Sequence, residues 1–150
     1  MMIHGIKTWL MSIVFISGVL FCFTHIPFAN ATPSPKDIEG TKKITAEKLI
    51  EYVEEFDNLI IIDSRIRTDQ QLGYIEGSIS LSDTHTTCKT LKDIIPSKTQ
   101  PIIFYCNGPK CGRSANAIKT ALKCGYSNTY WFRGGFEEWK NKKYPYISTY

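Results

Sequence analysis

The chain has 150 residues, 43% of them hydrophobic and 21% charged, with 10 Gly and 7 Pro. This is the composition of an ordinary folded protein and excludes collagen-like, low-complexity and strongly disordered readings. The net charge of +4 is a mild excess spread along the chain, without the basic stripe or helix-turn-helix pattern of a nucleic-acid binder. Such a balance favours small anionic ligands only weakly.

Residues 1–31 read as an export signal. Met1 to Lys7 carries a single Lys, and Trp9 to Phe23 is an uncharged apolar run of fifteen residues. Ala29-Asn30-Ala31 then sets small residues one and three places before a cut following Ala31. As a helix, such a run rises only about 22 Å, short of the ~30 Å hydrocarbon core. Cleavage is therefore expected over a retained anchor, giving a secreted or periplasmic protein with no membrane association afterwards. Cys22 belongs to the apolar run, because Phe21 precedes it where a lipoprotein site needs a small residue. The remaining chain, roughly 119 residues, suffices for one core.

Residues 32–43, with Pro33, Pro35 and Gly40, read as a flexible lead-in, and 44–150 as one domain. After Thr45, a helix N-cap, Leu49, Tyr52, Val53 and Phe56 recur at helical spacing and predict an amphipathic helix. Leu59 to Ile62, ending at Asp63, is a continuous β-branched run suited to a strand buried on both faces. Ile102 to Tyr105 and Thr129 to Phe132 are two more. Between them, Ser114 to Cys124 carries Ala115, Ile118, Ala121 and Leu122 on one helical face, with Gly125 placed to end it. Helical patterns recur at Thr90 to Ile95 and Phe136 to Asn141. The alternation predicts an α/β domain with a mostly parallel central sheet flanked by helices.

Export makes thiols prone to oxidation. Four cysteines follow the signal: Cys88, Cys106, Cys111 and Cys124. Two bridges are possible by count, but four is sparse for a disulfide-built scaffold, so Cys88 and Cys124 are expected to be core residues. The chemistry concentrates in Cys106-Asn107-Gly108-Pro109-Lys110-Cys111-Gly112-Arg113-Ser114, between a strand and a helix. A curl of that kind at the carboxyl end of a strand aims amide N–H groups at a common centre, where they hold anions and stabilise a thiolate. An ordinary thiol of pKa about 8.5 is only about 3% ionised at pH 7. Making it mostly thiolate requires about 2.7 kcal/mol, and a helix terminus contributes only about 0.3–1, so the amides with Lys110 or Arg113 must supply the rest.

This loop, with Arg113-Ser114 opening a helix, resembles the active-site loop of rhodanese-like domains. The resemblance runs over about residues 44 to 147. Ile44-Thr45-Ala46-Glu47-Lys48-Leu49 is similar to the family's opening helix and Ile61-Ile62-Asp63-Ser64-Arg65 to its Asp-x-Arg strand end. Gly73-Tyr74-Ile75-Glu76-Gly77-Ser78-Ile79 matches its glycine signature, and Phe132-Arg133-Gly134-Gly135-Phe136-Glu137-Glu138-Trp139 its closing Gly-Gly and Trp segment. It implies a three-layer α/β fold and a sulfurtransferase. In that chemistry the Cys106 thiolate takes sulfane sulfur from a small sulfur-containing anion such as thiosulfate, becomes a persulfide, and passes the sulfur to a thiol, protein or other thiophilic acceptor. The amides of Asn107 to Ser114 would hold the anions, with no metal or organic cofactor.

The family's common loop has four residues between Cys and Arg, whereas Asn107 to Gly112 makes six. The cradle is therefore wider and the donor open. Cys111 resembles the subgroup with a Cys-x-Gly-Pro-x-Cys loop, and is either a resolving thiol that closes a disulfide with Cys106 or simply packed beneath the loop. Two other functions use the same fold. One is a persulfide carrier or thiol-disulfide redox partner working through Cys106 and Cys111; the other is a phosphatase, whose Cys-x5-Arg loop and general acid are not matched here. Asp63, Arg65 and Arg133 sit at strand ends and either border the pocket or fix loops. His85 is the last histidine after cleavage and lies in a polar stretch; Trp131 and Trp139 read as packing. Zinc is disfavoured by the absence of Cys-x-x-Cys spacing.

Overall fold

The computed structural model describes residues 34–148; the export signal read over 1–31 lies outside them. Strand β4 (Ile102–Tyr105) is buried along its whole length, as is β5 (Thr129–Phe132) beside it, and β2 (Ile60–Asp63) flanks β4 on the other side. Two short strands extend the sheet: β1 (Lys42–Ile44) against β5 and β3 (Ile79–Ser80) against β2. The result is a five-stranded, all-parallel sheet in the order β1-β5-β4-β2-β3. The predicted α/β class holds.

Side-chain alternation splits the core into two layers. Ile62, Ile102, Phe104 and Trp131 face α3 (Cys88–Ile94) and α4 (Arg113–Lys123), which contribute Leu91, Ala115, Ile118 and Ala121. Ile61, Ile103, Tyr105, Tyr130 and Phe132 face α1 (Ala46–Glu55) and α5 (Gly135–Asn141), which contribute Ala46, Leu49, Phe136 and Trp139. Thr45 caps α1 by accepting from the Lys48 amide at 3.3 Å. Gly125, at φ +86, ends α4 as expected, and the Tyr126 amide returns to the Ala121 carbonyl at 3.1 Å.

Three expectations are corrected, and three short elements are added. Val53 does not complete the apolar stripe of α1: it is 54% exposed, and Ala46, one turn before Leu49 and Ile50, takes up the buried face instead. The lead-in is not loose throughout, because Ile38 is buried in the α3/α4 layer and Lys42 and Lys43 already pair with β5. Strands β1 and β3, and helix α2 (Arg67–Gln71), were not read from periodicity. Cys88 and Cys124 are not plain core residues. They form a disulfide, Cα–Cα 5.4 Å, that ties the exposed start of α3 to the half-buried end of α4 where the two helices pack on the same sheet face.

Candidate active site

Cys106 directly follows β4, the middle strand of the sheet, and is 2% exposed. Its carbonyl accepts from the Phe136 amide at 2.9 Å, and the Asn107 carbonyl accepts from the Glu137 amide at 2.7 Å. The start of α5 is thus seated on the start of the cysteine loop. Gly135 permits this contact: its φ is +60, and a Cβ there would run into the Cys106 carbonyl. The loop then turns over Gly108-Pro109-Lys110-Cys111, closed by the Cys111 amide donating to the Gly108 carbonyl at 3.0 Å, with Pro109 at the position whose fixed φ suits such a turn. The Cys111 amide is therefore committed to the turn rather than to an anion. Pro109 and Lys110 are exposed, Gly108 and Gly112 buried, and Ser114, the second residue of α4, accepts through its hydroxyl from Trp131 Nε1 at 2.9 Å.

Cys106 is joined to Cys111 in a disulfide, Cα–Cα 6.3 Å. The sulfur expected as a free thiolate is in its oxidised form here, and of the two bonded residues Cys111 is the more exposed. Arg113 does not point into a cradle. Its Nη1 donates to Asp69 Oδ2 of α2 at 3.0 Å, and Asn107 Nδ2 donates to the same oxygen at 2.8 Å. One carboxylate oxygen thus pins both ends of the loop. A cation in the first turn of α4 is the wrong sign for the helix dipole, and Asp69 offsets it. Asp69 escaped the sequence reading, since Arg67–Gln71 carries no apolar pattern.

Asp63 and Arg65 form a buried brace rather than a solvent-facing rim. Arg65 Nη2 donates to Asp63 Oδ2 at 2.6 Å and to the Gly73 carbonyl at 2.8 Å, while Arg65 Nε reaches Asp63 Oδ1 at 2.9 Å. Tyr105 donates its hydroxyl to Asp63 Oδ2 at 2.8 Å, and the Ile75 amide donates to that hydroxyl at 3.2 Å. Burial and the neighbouring Asp63 charge push the Tyr105 hydroxyl well above its ordinary value. Burial works against the Arg65 charge, but the hydrogen bonds and charge of Asp63 outweigh it and hold the guanidinium above its usual value. This brace fixes the glycine signature segment against β2 and β4. Arg133 is likewise occupied, donating through Nε to the Pro35 carbonyl at 3.0 Å.

Ser64 was also missed. It is fully buried directly after β2, its amide donating to the Tyr105 carbonyl at 2.9 Å, and its hydroxyl has no hydrogen-bond partner among the described residues. A buried residue type that normally sits outside gives no signal in a single sequence. His85 lies in a 3₁₀ turn (Asp83–His85), exposed, with Nδ1 2.7 Å from Ser82 Oγ rather than paired with a cysteine. Among the described residues, no cluster of His, Cys, Asp or Glu is suited to a metal ion, and no helix is long and apolar enough to cross a membrane.

A parallel α/β domain with a cysteine at the carboxyl end of its middle strand, on a glycine-containing loop leading into a helix, has that cysteine where open α/β sheets bind their ligands. The chain belongs to the Rhodanese-like domain family, which matches residues 45–142. It is 25% identical over 92 residues to the uncharacterized protein YibN of Escherichia coli K12, covering 61% of this chain and 62% of YibN. Its fold is similar to a thiosulfate sulfurtransferase from Pseudomonas aeruginosa (TM-score 0.60, 21% identity, 73% of this chain and 21% of that one). It is equally similar to RPA3614 from Rhodopseudomonas palustris CGA009, described as a possible tyrosine phosphatase (TM-score 0.61, 23% identity, 75% of this chain and 98% of that one).

Proposed function

We propose that this protein is an exported sulfurtransferase working through a persulfide on Cys106. The observation that carries the reading is the position of Cys106: buried at the end of the central strand, opening the loop that runs into α4, in a rhodanese-like domain. Export rests on the signal read in residues 1–31. In the working form the Cys106–Cys111 bond has been opened by two thiols of a dithiol reductant, which leaves as its own disulfide. The Cys106 thiolate then attacks the outer sulfur of a donor. A new S–S bond forms on Cys106, and the donor's S–S bond breaks with its electron pair leaving on sulfite when thiosulfate is used. An acceptor thiolate or cyanide removes the sulfur and restores the thiolate. The loop amides offset the negative charge on the persulfide and the departing group.

The test is mass spectrometry of pre-reduced protein after thiosulfate treatment. A gain of one sulfur, about 32 Da, that vanishes in Cys106→Ser is the expected result. No gain with any sulfane donor overturns the reading, and a phosphoenzyme formed from a phosphoester would replace it with the phosphatase.

The Cys106–Cys111 bond favours one second reading. In a relay, the Cys111 thiol loses its proton and attacks the Cys106 persulfide at the sulfur bonded to Cys106's side chain. The disulfide closes, hydrosulfide departs, and a partner dithiol reopens the bond. Hydrosulfide release that requires Cys111, with little cyanide-dependent turnover, would select this reading.

A further inference from the structure

The reading of Cys106 as a sulfur acceptor leaves the donor open, and the neighbourhood of the loop carries that choice further. Among the basic residues near the cysteine, Arg65 is consumed by Asp63, Arg133 by the Pro35 carbonyl, and Arg113 by Asp69. Lys110 stands exposed on the tip of the turn. Asp69 holds Arg113 and also brings a carboxylate to the loop itself, through Asn107, the residue next to the reactive cysteine. Both side chains of the Asp69–Arg113 pair are about one-third exposed, at 28% and 32%. The pair is thus partly open to water, and its charges would act on an anion held at the loop through that solvent.

We infer that Asp69 is a specificity-determining positioning residue. By withholding Arg113 and adding a negative charge at the loop, it matches the site to monoanionic sulfane donors, organic thiosulfonates and organic persulfides, over dianionic thiosulfate. The inference rests on the sulfur-transfer reading. The step with a thiosulfonate balances in the same way: Cys106–S⁻ attacks the outer sulfur, the sulfur–sulfur bond breaks, and the organic sulfinate leaves with the electron pair, giving the Cys106 persulfide anion.

Charge sorting has a quantitative signature. A unit charge removed about 7 Å from a bound anion in a water-like medium changes the affinity of a dianion by about sevenfold and of a monoanion by about threefold, because the effect doubles on a logarithmic scale. Asp69→Asn keeps the shape and removes the charge. On pre-reduced protein with cyanide as acceptor, the KM for thiosulfate is expected to fall about sevenfold and that for benzenethiosulfonate about threefold, with kcat little changed. Asp69→Glu should restore the wild-type ratio, and Arg113→Gln combined with Asp69→Asn should abolish the gain. A merely structural role would move both donors by one factor, or lower kcat for both.

A second measurement does not depend on turnover: titration of inorganic sulfate into the pre-reduced protein, followed by NMR at the Gly108 and Gly112 amides. Sulfate is expected to bind about sevenfold more tightly to Asp69→Asn than to wild type. Equal shifts for both donors, or unchanged sulfate binding, overturn the inference while leaving sulfur transfer intact. No turnover of either donor by any variant overturns the sulfur-transfer reading instead, since sulfate binding still reports on Asp69.

Discussion

A disulfide lies just beyond each end of helix α4, and the two bonds differ in what they span. Cys88–Cys124 joins elements 36 residues apart on the outside of the α3/α4 layer, whereas Cys106–Cys111 closes a span of 5 inside one loop. Both have ordinary Cα separations. On a chain-entropy account the long bridge stabilises the fold by about 4 kcal/mol and the short one by about 2. The long bond has the structural leverage. The short bond sits at the proposed reactive loop, so its worth lies in which sulfur it masks.

Breaking the long bridge gives the largest effect. The double variant Cys88→Ser/Cys124→Ser should lose about 4 kcal/mol in urea unfolding under non-reducing conditions, while its rate of persulfide formation stays that of wild type where it is folded. A changed rate at equal foldedness would erase the distinction between the two ends. Cys111→Ser should lose about 2 kcal/mol or less, yet change reactivity sharply. Cys106 would then be alkylated by iodoacetamide without pretreatment, whereas wild type requires prior reduction.

Gly135→Ala sharpens the contrast, because it presses on the Cys106 carbonyl and leaves the far end of α4 untouched. A loss of about 1–3 kcal/mol is expected, with altered alkylation of Cys106. The smallest effect belongs to a place remote from both ends. The Lys142 ammonium, with Thr45 and Tyr144, holds the Glu47 carboxyl down at about 2, from an ordinary 4.5. The folded form thus prefers the ionised carboxylate. Its contribution is complete above pH 4.5 and disappears as pH falls toward about 2. Glu47→Gln should lower stability slightly at pH 7, flatten that part of the acid unfolding limb, and leave sulfur chemistry alone; solvent screening keeps the loss small.

The inner strands β2, β4 and β5 are legible in the sequence because burial on both faces demands unbroken apolar runs, as in Ile102 to Tyr105. The outer strands are not. Lys42–Ile44 and Ile79–Ser80 are short edge pieces, held by backbone pairing with β5 and β2. The position of Cys106 was readable for the same reason: it follows the most apolar strand and opens a glycine-rich turn. What escaped the sequence was side-chain partnership across long separations. Asp69 lies 44 residues from Arg113 and 38 from Asn107, and nothing local in Arg67–Gln71 announces either contact. Cys88 and Cys124 likewise have α3, β4 and α4 between them in the chain, and only the packing of α3 on α4 brings their sulfurs together.

The seating of α5 on the cysteine loop bounds how far the loop can rearrange. The carbonyls of Cys106 and Asn107 are anchored by the Phe136 and Glu137 amides, and from Arg113 onward the backbone is helix. When the Cys106–Cys111 bond opens or closes, the five residues 108–112 between those two fixed points take up the change. Redox chemistry at this site is therefore a swing of a short tethered bridge, leaving the sheet and its flanking layers stationary.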